Sequence, residues 1–346
     1  MNSCSRLLMN GKMPDKFYKK YRAAVRGKAA LFSIRGEKQM KKKKKYNSQA
    51  PQIRLAMVFL LPWVIGLLLF HIYPIVSTVY YSFTEYNLMK APKFVGLLNY
   101  KKIFHDDLFY KAVYNSLYFV VIGVTLQIAL SVFSAVLLNM NVKGRGIFRT
   151  LFYLPTLVPP VASSLVWMWM LNPQYGLVNA VLKFFHLPQP LWLSSAEWSK
   201  PAIILMTLWG IGNTIIVYLA GIGDIPRDYY EAIDLDGGGP ISKFRYITWP
   251  MLSNVTFFQV VNGIIMGFNT FTQSYIVAAS APKGNGTLGG VKNSLLFYAV
   301  DIYNEGFKYL KFGYSSALAT IMLVVMIIIT FFLFKGSKKW VYYGGE

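Results

Sequence analysis

The chain has 346 residues, of which 55% are hydrophobic, 16% aromatic and only 14% charged, and this composition excludes an ordinary soluble protein because too few charged side chains remain to cover its surface. The formal net charge is +22, but most of the Lys and Arg residues lie in the first 54 residues and in alternate loops between apolar segments. That distribution is typical of a membrane protein whose basic loops stay in the cytoplasm, so we expect no nucleic-acid partner.

The N-terminal segment, residues 1–54, is basic and polar and ends close to the lysine run 41–45. It lacks the apolar core and the cleavage site of a signal peptide, and we therefore expect a cytoplasmic tail. Met40 followed by five lysines is also an ordinary start for a membrane protein. Residues 1–39 are thus either a genuine extension or an artefact of the assigned start, and the sequence leaves both possibilities open.

Six apolar segments follow the tail, and each is about 20 residues or longer, enough to cross the roughly 30 Å hydrocarbon core of a bilayer as a helix. The predicted fold class is all-α, a polytopic membrane protein with six transmembrane helices. The segments run at about 55–77, 112–138, 147–171, 201–222, 251–279 and 312–334.

The charges of the loops predict the orientation of these helices. Basic residues cluster after the second, the fourth and the sixth segment, at Lys143, Arg145, Arg149, Arg227, Lys243, Arg245, Lys335, Lys338 and Lys339. The alternate loops, at about 84–111, 172–200 and 280–311, mix Lys with acidic residues, among them Asp106 and Asp107, which we interpret as solvated. The positive-inside rule therefore predicts that both termini are cytoplasmic.

No cofactor, metal or catalytic site is predicted in the chain. Cys4 is the only cysteine, and the three histidines, His71, His105 and His186, have no metal-ligand spacing. The phosphate-binding pattern Gly-x-x-x-x-Gly-Lys-Ser/Thr is absent, so we expect any ATP that drives this protein to bind another chain. The apolar segments hold no nucleophile, base and carboxylate at reactive spacing, which disfavours a membrane-embedded enzyme.

The loop between the fourth and fifth segments, residues 224–250, carries the most specific pattern. Pro226 and Pro240 suit the first turns of two short helices, and the run Gly237–Gly239 permits a sharp reversal between them. We therefore predict a helix-turn-helix on the membrane surface. Its candidate docking face consists of Tyr229, Glu231, Ile233 and Phe244. The simpler interpretation, a plain amphipathic surface loop, stays open on these features alone.

The residues of this loop resemble the coupling-loop motif of type I ABC importer permeases. The matching positions are Glu231, Ala232, Ile233, Gly237, Ile247 and Pro250. In that family the loop inserts into a cleft on the ATPase subunit, so the resemblance implies this role for residues of about 223–250. Two positions depart from the motif, because Ile233 stands where alanine is usual and Trp249 where leucine is usual.

Further segments resemble the carbohydrate-uptake branch of these permeases. They are Phe94–Tyr100, the pair Phe297 and Tyr298, Phe312–Ala317 and the C-terminal run Lys339–Glu346. The resemblance covers about residues 50–346, and it implies a permease domain at 55–346 with a core at about 111–334. It also implies a second, related permease, two ATPase subunits that hold ATP and Mg²⁺, an extracellular solute-binding protein, and the cytoplasmic membrane of a prokaryote as the location. Contact with that binding protein is the alternative interpretation of Asp106 and Asp107.

The fourth, fifth and sixth segments contain no Asp, Glu, Lys, Arg or His. This disfavours an ion-coupled carrier, which needs buried ionisable groups, and it suits a neutral hydroxylated cargo such as a sugar or oligosaccharide. A polyamine, a phosphate or a metal chelate is the alternative cargo. Polar and aromatic side chains, together with the resemblance to disaccharide permeases, mark as candidate cavity residues Trp209, Gly210, Asn213, Gly263, Met266, Gly267 and Thr270. For each of them, helix packing is the simpler interpretation.

Overall fold

The structure is a computed structural model that describes residues 50–140, 143–280 and 289–342, together with Ala23. It divides into two units, Met1–Pro74 and Ile75–Glu346. Nearly all regular structure among the described residues is helical, as the sequence predicts. Of the predicted basic tail, the structure describes only Ala23 and the end, which belongs to a helix that begins at Ala50.

The first unit is helical where it is described. An α-helix covers Ala50–Leu67, a π turn follows at Leu68–Ile72, and the α-helix resumes at Tyr73. Pro74 has no N–H to donate to the carbonyl one turn earlier, and the widened π turn accommodates that missing hydrogen bond. The long helix formed in this way, α1, spans Leu55–Ser82.

The second unit contains a short antiparallel strand pair, β1 (Thr84–Glu85) with β2 (Lys93–Phe94), and a succession of helices. The helices are α2 (Leu98–Ile103), α3 (Asp107–Asn139), α4 (Arg145–Tyr153), α5 (Pro160–Met170), α6 (Leu177–Phe184), α7 (Ser199–Leu208), α8 (Gly212–Gly223), α9 (Arg227–Leu235), α10 (Pro240–Met251), α11 (Ser253–Phe268), α12 (Thr272–Ser280), α13 (Tyr298–Tyr303) and α14 (Phe312–Ser337). Short 3-10 turns occupy Leu154–Leu157 and Val291–Asn293, and π turns occupy Phe119–Val124 in α3, Phe244–Thr248 in α10 and Asn304–Lys308 after α13.

The predicted membrane segments correspond to single helices and to bent helix pairs. Three helices, α1, α3 and α14, are long and apolar enough to cross a membrane by themselves. Three combinations meet the same test as one bent span each: α4 with α5, α7 with α8, and α10 with α11 and α12. The described residues therefore hold three candidate spans, or up to six when each bent combination counts as one, in agreement with the six predicted segments.

The bends themselves are not evident from hydropathy, and each lies at a recognisable break in the helix. The third predicted segment turns by 101° at a run of prolines, Pro155, Pro159 and Pro160, which lack N–H donors. The fourth segment bends by 50° next to Gly210. A bend of 61° at Leu252 separates the preceding surface loop from the fifth segment.

Buried apolar side chains hold the second unit together in three clusters. The first joins α3, α5, α7 and α12 to the residues before α13, and it includes Phe119, Trp167, Ile203, Val277 and Phe297. The second joins α3 to α8 and includes Val132, Ala135, Ile215, Tyr218 and Leu252. The third joins α2, α3, α13 and α14. Because α8 leads directly into the surface loop, the second cluster gives that loop a fixed base on α3.

Candidate functional site

The surface hairpin, residues 227–251, connects α8 to α11 and has the predicted helix-turn-helix form, with α9 and α10 as its arms. Gly237 adopts a φ of +75°, a left-handed conformation in which a side chain is strained. The amide of Gly238 donates to the carbonyl of Ile233 at 2.8 Å, and a Cβ at Gly238 would lie 2.9 Å from the same oxygen. The two glycines therefore allow a turn this tight.

Side-chain contacts tie the two arms of the hairpin together. Lys243 Nζ lies 2.6 Å from Oδ1 of Asp234, and the hydroxyl oxygens of Tyr230 and Thr248 lie 3.0 Å apart. The ion pair is partly exposed and contributes at most about 1 kcal/mol, whereas Thr248 is buried and its hydrogen bond is shielded from water. The hairpin is braced near its turn and near its base, as a stiff force-transmitting element requires.

The motif residues of the hairpin divide into exposed and buried positions. Glu231, Ala232, Gly237 and Pro250 are exposed, whereas Ile247 is buried, with 8% of its surface accessible. Ile247 therefore belongs to the packing of the hairpin in this chain, and the other four are accessible to a partner. Their part in docking stays a prediction.

Two apolar side chains at the tip of the hairpin were not identified from the sequence. Leu235 is 89% exposed and Ile241 is 83% exposed, one on each side of the glycine turn. Exposed large apolar side chains at one place on a polar element are typical of a docking surface. Their position directly beside Gly237–Gly239 was the signal that could have identified them. Of the docking face that was predicted, Ile233 is half-buried against the turn.

The candidate cavity residues of the fourth segment lie at the break between α7 and α8. Trp209, Gly210 and Asn213 are all exposed, and Trp209 makes an edge-on ring contact with Trp167 of α5, with centroids 6.1 Å apart. The break leaves an indole and an amide accessible at one level of a bent span. Such a pair suits contact with a hydroxylated solute, because the ring offers an apolar face and the amide both donates and accepts hydrogen bonds.

The candidate cavity residues of α11 separate into two kinds. A Cβ at Gly263 would lie 2.5 Å from Cγ1 of Val124, and a Cβ at Gly267 would lie 2.7 Å from Cγ2 of Val120. These two glycines therefore allow α11 to approach the π turn of α3, as the helix-packing interpretation proposes. Met266, in contrast, is 69% exposed and points away from this contact.

Thr270 is the last candidate cavity residue, and it follows the end of α11, a helix that contacts α8. Thr270 is half-buried, and its hydroxyl donates to the carbonyl of Met266 at 3.4 Å. The helices that carry the two candidate sets pack against each other, since the Tyr218 hydroxyl on α8 donates to Oγ1 of Thr256 on α11 at 3.3 Å.

Among the described residues, no group of three or more His, Cys, Asp or Glu side chains could hold a metal ion.

Asp106 has a structural role at the beginning of α3. Its Oδ1 accepts a hydrogen bond from the amide of Leu108 at 2.9 Å, and its Oδ2 accepts one from the Tyr314 hydroxyl at 2.8 Å. Asp106 thus caps α3 and links it to α14. The interpretation of Asp106 as a merely solvated residue was wrong, because the loop pattern gave no sign of a tyrosine brought in from α14. Asp107 is exposed.

A buried carboxyl group lies in α13, outside the candidate membrane spans. Asp301 is only 5% exposed. Burial, and after it the negative charges of Glu305 and Asp106, raise the pKa of Asp301 to about 7. Lys311 acts in the opposite direction, but its ammonium group is paired with Glu305 at 2.9 Å. Asp301 is therefore a carboxyl group whose charge changes near neutral pH.

Comparison with known proteins gives consistent matches. The family described as "Binding-protein-dependent transport system inner membrane component" matches residues 127–341. The probable ABC transporter permease protein YesP of Bacillus subtilis is 36% identical over 82% of this chain and 91% of its own length. The arabinooligosaccharides transport system permease protein AraP of the same organism is 29% identical over 82% of this chain and 88% of its own length.

A solved structure has the same fold. It is the crystal structure of a bacterial alginate ABC transporter in complex with an alginate pentasaccharide-bound periplasmic protein, and the match has a TM-score of 0.70 at 22% identity over 82% of this chain and 93% of that chain. The predicted all-α permease fold is confirmed. Because the family match covers more than half of the sequence, this chain belongs to the binding-protein-dependent transport system inner membrane components, the membrane-spanning permease subunits of ABC importers.

Proposed function

We propose that this chain moves a sugar or oligosaccharide through the membrane and receives the driving force through its surface hairpin from a separate ATPase subunit. The observation that carries the proposal is the hairpin, which is stiff, is anchored on α3 through α8, and exposes Leu235 and Ile241 at its tip. An element of this kind transmits a movement from a bound partner to the helices behind it. The chain itself catalyses no covalent step.

The proposed cargo rests on the relatives and on the chemistry of the bent spans. AraP is named for arabinooligosaccharides. Residues 201–222, 251–279 and 312–334 contain no Asp, Glu, Lys, Arg or His, whereas Trp209 and Asn213 are accessible at a break. A polyamine, a phosphate or a metal chelate would favour complementary charge in the cavity, so the non-sugar alternative is disfavoured.

The proposed assembly contains a second, related permease, two ATPase subunits that bind ATP and Mg²⁺, and an extracellular solute-binding protein. The solved neighbour supports the last of these, since it was crystallised with a pentasaccharide-bound periplasmic protein. We place both termini on the cytoplasmic side of a prokaryotic inner membrane, because the basic loops at Lys143, Arg145 and Arg227 are then retained inside. Closure of the ATPases would move the hairpin and switch the cavity between inward-facing and outward-facing states.

Uptake by the reconstituted transporter tests the cargo. The whole complex would be reconstituted in proteoliposomes, with ATP on the side of the ATPase subunits and the binding protein on the opposite side. Radiolabelled neutral oligosaccharides, charged sugar phosphates and polyamines would then be added in turn. We expect saturable, ATP-dependent import of a neutral oligosaccharide, with ATPase activity as the control for an intact complex. Saturable import of a polyamine together with no response to any sugar would contradict the proposal.

A further inference from the structure

A partly open cavity lies between three helices of the second unit, apart from the candidate substrate cavity. It has a volume of about 330 Å³ and lies between the end of α3, the helix α4 and the face of α8 that carries Gly212, Ile216 and Leu219. None of the residues predicted to face the cargo lines it. A space of this size falls within the range of small-molecule sites in proteins.

Arg149 is the cationic residue of the lining. It enters the cavity from α4, and among the described residues no acidic side chain lines the cavity beside it. Its Nε is buried and has no hydrogen-bond partner in the described part of the chain. The two ion pairs formed by described residues, Lys243 with Asp234 and Lys311 with Glu305, do not involve it. A buried guanidinium donor without a partner is costly, so the site is incomplete without an acceptor.

The remainder of the lining determines what kind of acceptor fits. Most of the cavity wall is apolar and is formed by Leu138, Phe152, Ile216 and Leu219. A small hydrated anion would make no apolar contact with these side chains. A ligand that satisfies the whole cavity carries an anionic oxygen for Arg149 and a hydrocarbon chain for the other side chains. A phospholipid with an anionic headgroup has both parts.

The position of the cavity agrees with that ligand. Lys143 and Arg145 lie in the turn that begins α4, and in the orientation proposed above this turn is at the cytoplasmic surface. The cytoplasmic leaflet carries the anionic lipids, and basic pockets between transmembrane helices on that side bind their headgroups. Ile147, Phe148 and Leu151 on α4 are exposed and apolar, as suits a helix in contact with lipid.

We propose that the cavity between α3, α4 and α8 is a binding site for an anionic phospholipid of the cytoplasmic leaflet, with its phosphate on Arg149 and an acyl chain along Phe152, Ile216 and Leu219. The lipid would fill the space between α4 and α8, the helix that carries the surface hairpin. The inference rests on the orientation that the proposed function includes, but lipid binding is measured without transport. A failure of one is therefore distinguishable from a failure of the other.

The test is native mass spectrometry of the whole purified transporter titrated with phosphatidylglycerol, with phosphatidylcholine as the zwitterionic comparison. We expect wild type to retain phosphatidylglycerol in preference to phosphatidylcholine and R149Q to bind it about tenfold to a hundredfold more weakly, since a charge-assisted hydrogen bond is lost. K183Q is the matched control, because Lys183 is an exposed cation on α6 that does not line the cavity. We expect K183Q to bind the lipid as wild type does.

A second variant keeps the test valid if R149Q fails to assemble. A220L adds a larger side chain to the lining without changing any charge, and we expect it to reduce phosphatidylglycerol binding by filling the space of the acyl chain. Equal binding of phosphatidylglycerol to wild type, R149Q and A220L would overturn the proposal. Binding of inorganic phosphate as tight as that of the lipid would also overturn it, because the acyl chain would then contribute nothing. Loss of the partner permease from R149Q with lipid binding unchanged would overturn it as well, because Arg149 would then pair with the other subunit.

Discussion

The residues of the surface hairpin differ in how far they are buried. Ile247 is buried within this chain, whereas Glu231 is exposed on α9, and the two apolar side chains at the tip have almost their whole surface accessible. Burial of an apolar side chain that size in a partner is worth about 1.5–3 kcal/mol, while an exposed charge mainly selects the partner and its orientation. We therefore expect different residues to carry the affinity and the specificity of the proposed docking.

Charge reversal at Glu231 tests the docking role. We expect E231K to lower co-purification of the ATPase subunit and uptake together, because it places a cation on the docking face without altering a membrane span. Membrane insertion should be unchanged. E197K is the control, since Glu197 is an exposed carboxylate in the loop before α7, outside residues 223–250. Normal complex yield and normal uptake in E231K would show that this face does not dock.

The exposed amide at the break between α7 and α8 tests the substrate cavity. Loss of one hydrogen bond to a sugar hydroxyl costs about 1–3 kcal/mol when the partner is left unsatisfied, which is up to roughly a hundredfold in affinity. We therefore expect N213A to reduce the uptake rate while the complex assembles normally. N254A removes an exposed amide near the start of α11 that is not a candidate, and it should transport as wild type does. Unchanged uptake in N213A would exclude Asn213 from the site and leave the cargo proposal intact.

Asp301 makes a predictable contribution to stability as a function of pH. Its pKa is about 7 in the folded chain and 3.8 in the unfolded reference, so the folded state holds the proton more tightly. Stability from this group is fully present at low pH and is lost as the pH rises through about 7. We expect D301N, which stays neutral, to flatten this part of the dependence of the melting temperature on pH. The measurement is thermal unfolding of the purified complex between about pH 5 and pH 8; a slope equal to that of wild type would contradict it.

At the scale of elements, the close approach of α11 to α3 depends on glycines that lie opposite β-branched side chains. Val120 and Val124 lie in the π turn of α3, and β-branched side chains have little rotamer freedom with which to move aside. Gly263 and Gly267 face them on successive turns of α11. Gly263 and Gly267 thus mark a contact between helices, whereas the role of the nearby polar residues in a cavity stays a prediction.

An alanine at Gly263 tests the contact between α11 and α3. The added Cβ would lie 2.5 Å from Val124, and we expect overpacking of this kind to lower the free energy of unfolding by about 1–3 kcal/mol. The measurement is the thermal stability of the purified complex. G223A is the matched control, because Gly223 is also helical but nothing lies within 4 Å of its would-be Cβ. Alanine should be neutral or slightly stabilising there. Equal stability of the two variants would show that α11 has room to shift.

At the scale of the whole molecule, the chain combines a predicted basic tail with a helical permease core. The lysine run 41–45 and Arg54 carry enough positive charge to hold the N-terminus in the cytoplasm without the preceding residues. We therefore expect deletion of residues 1–39 to leave uptake and complex yield nearly unchanged. The measurement is transport in proteoliposomes at equal complex density. A truncated chain that inserts and assembles normally but transports poorly would show that the extension takes part in the cycle.

The sequence by itself determined the membrane class, the all-α fold, the approximate six segments and the hairpin, because each depends on local patterns: apolar length, charge in loops, and prolines and glycines at a turn. Tertiary structure decided the rest. The cap and the Tyr314 partner of Asp106, the facing of Gly263 and Gly267 toward α3, and the separation of Ile247 from its exposed motif neighbours all depend on which helices meet. The same holds for the cavity at Arg149, whose lining comes from residues 138 to 220. Hydropathy gives the length of a span but not the direction in which each side chain points, since that is set by the packing of helices distant in sequence.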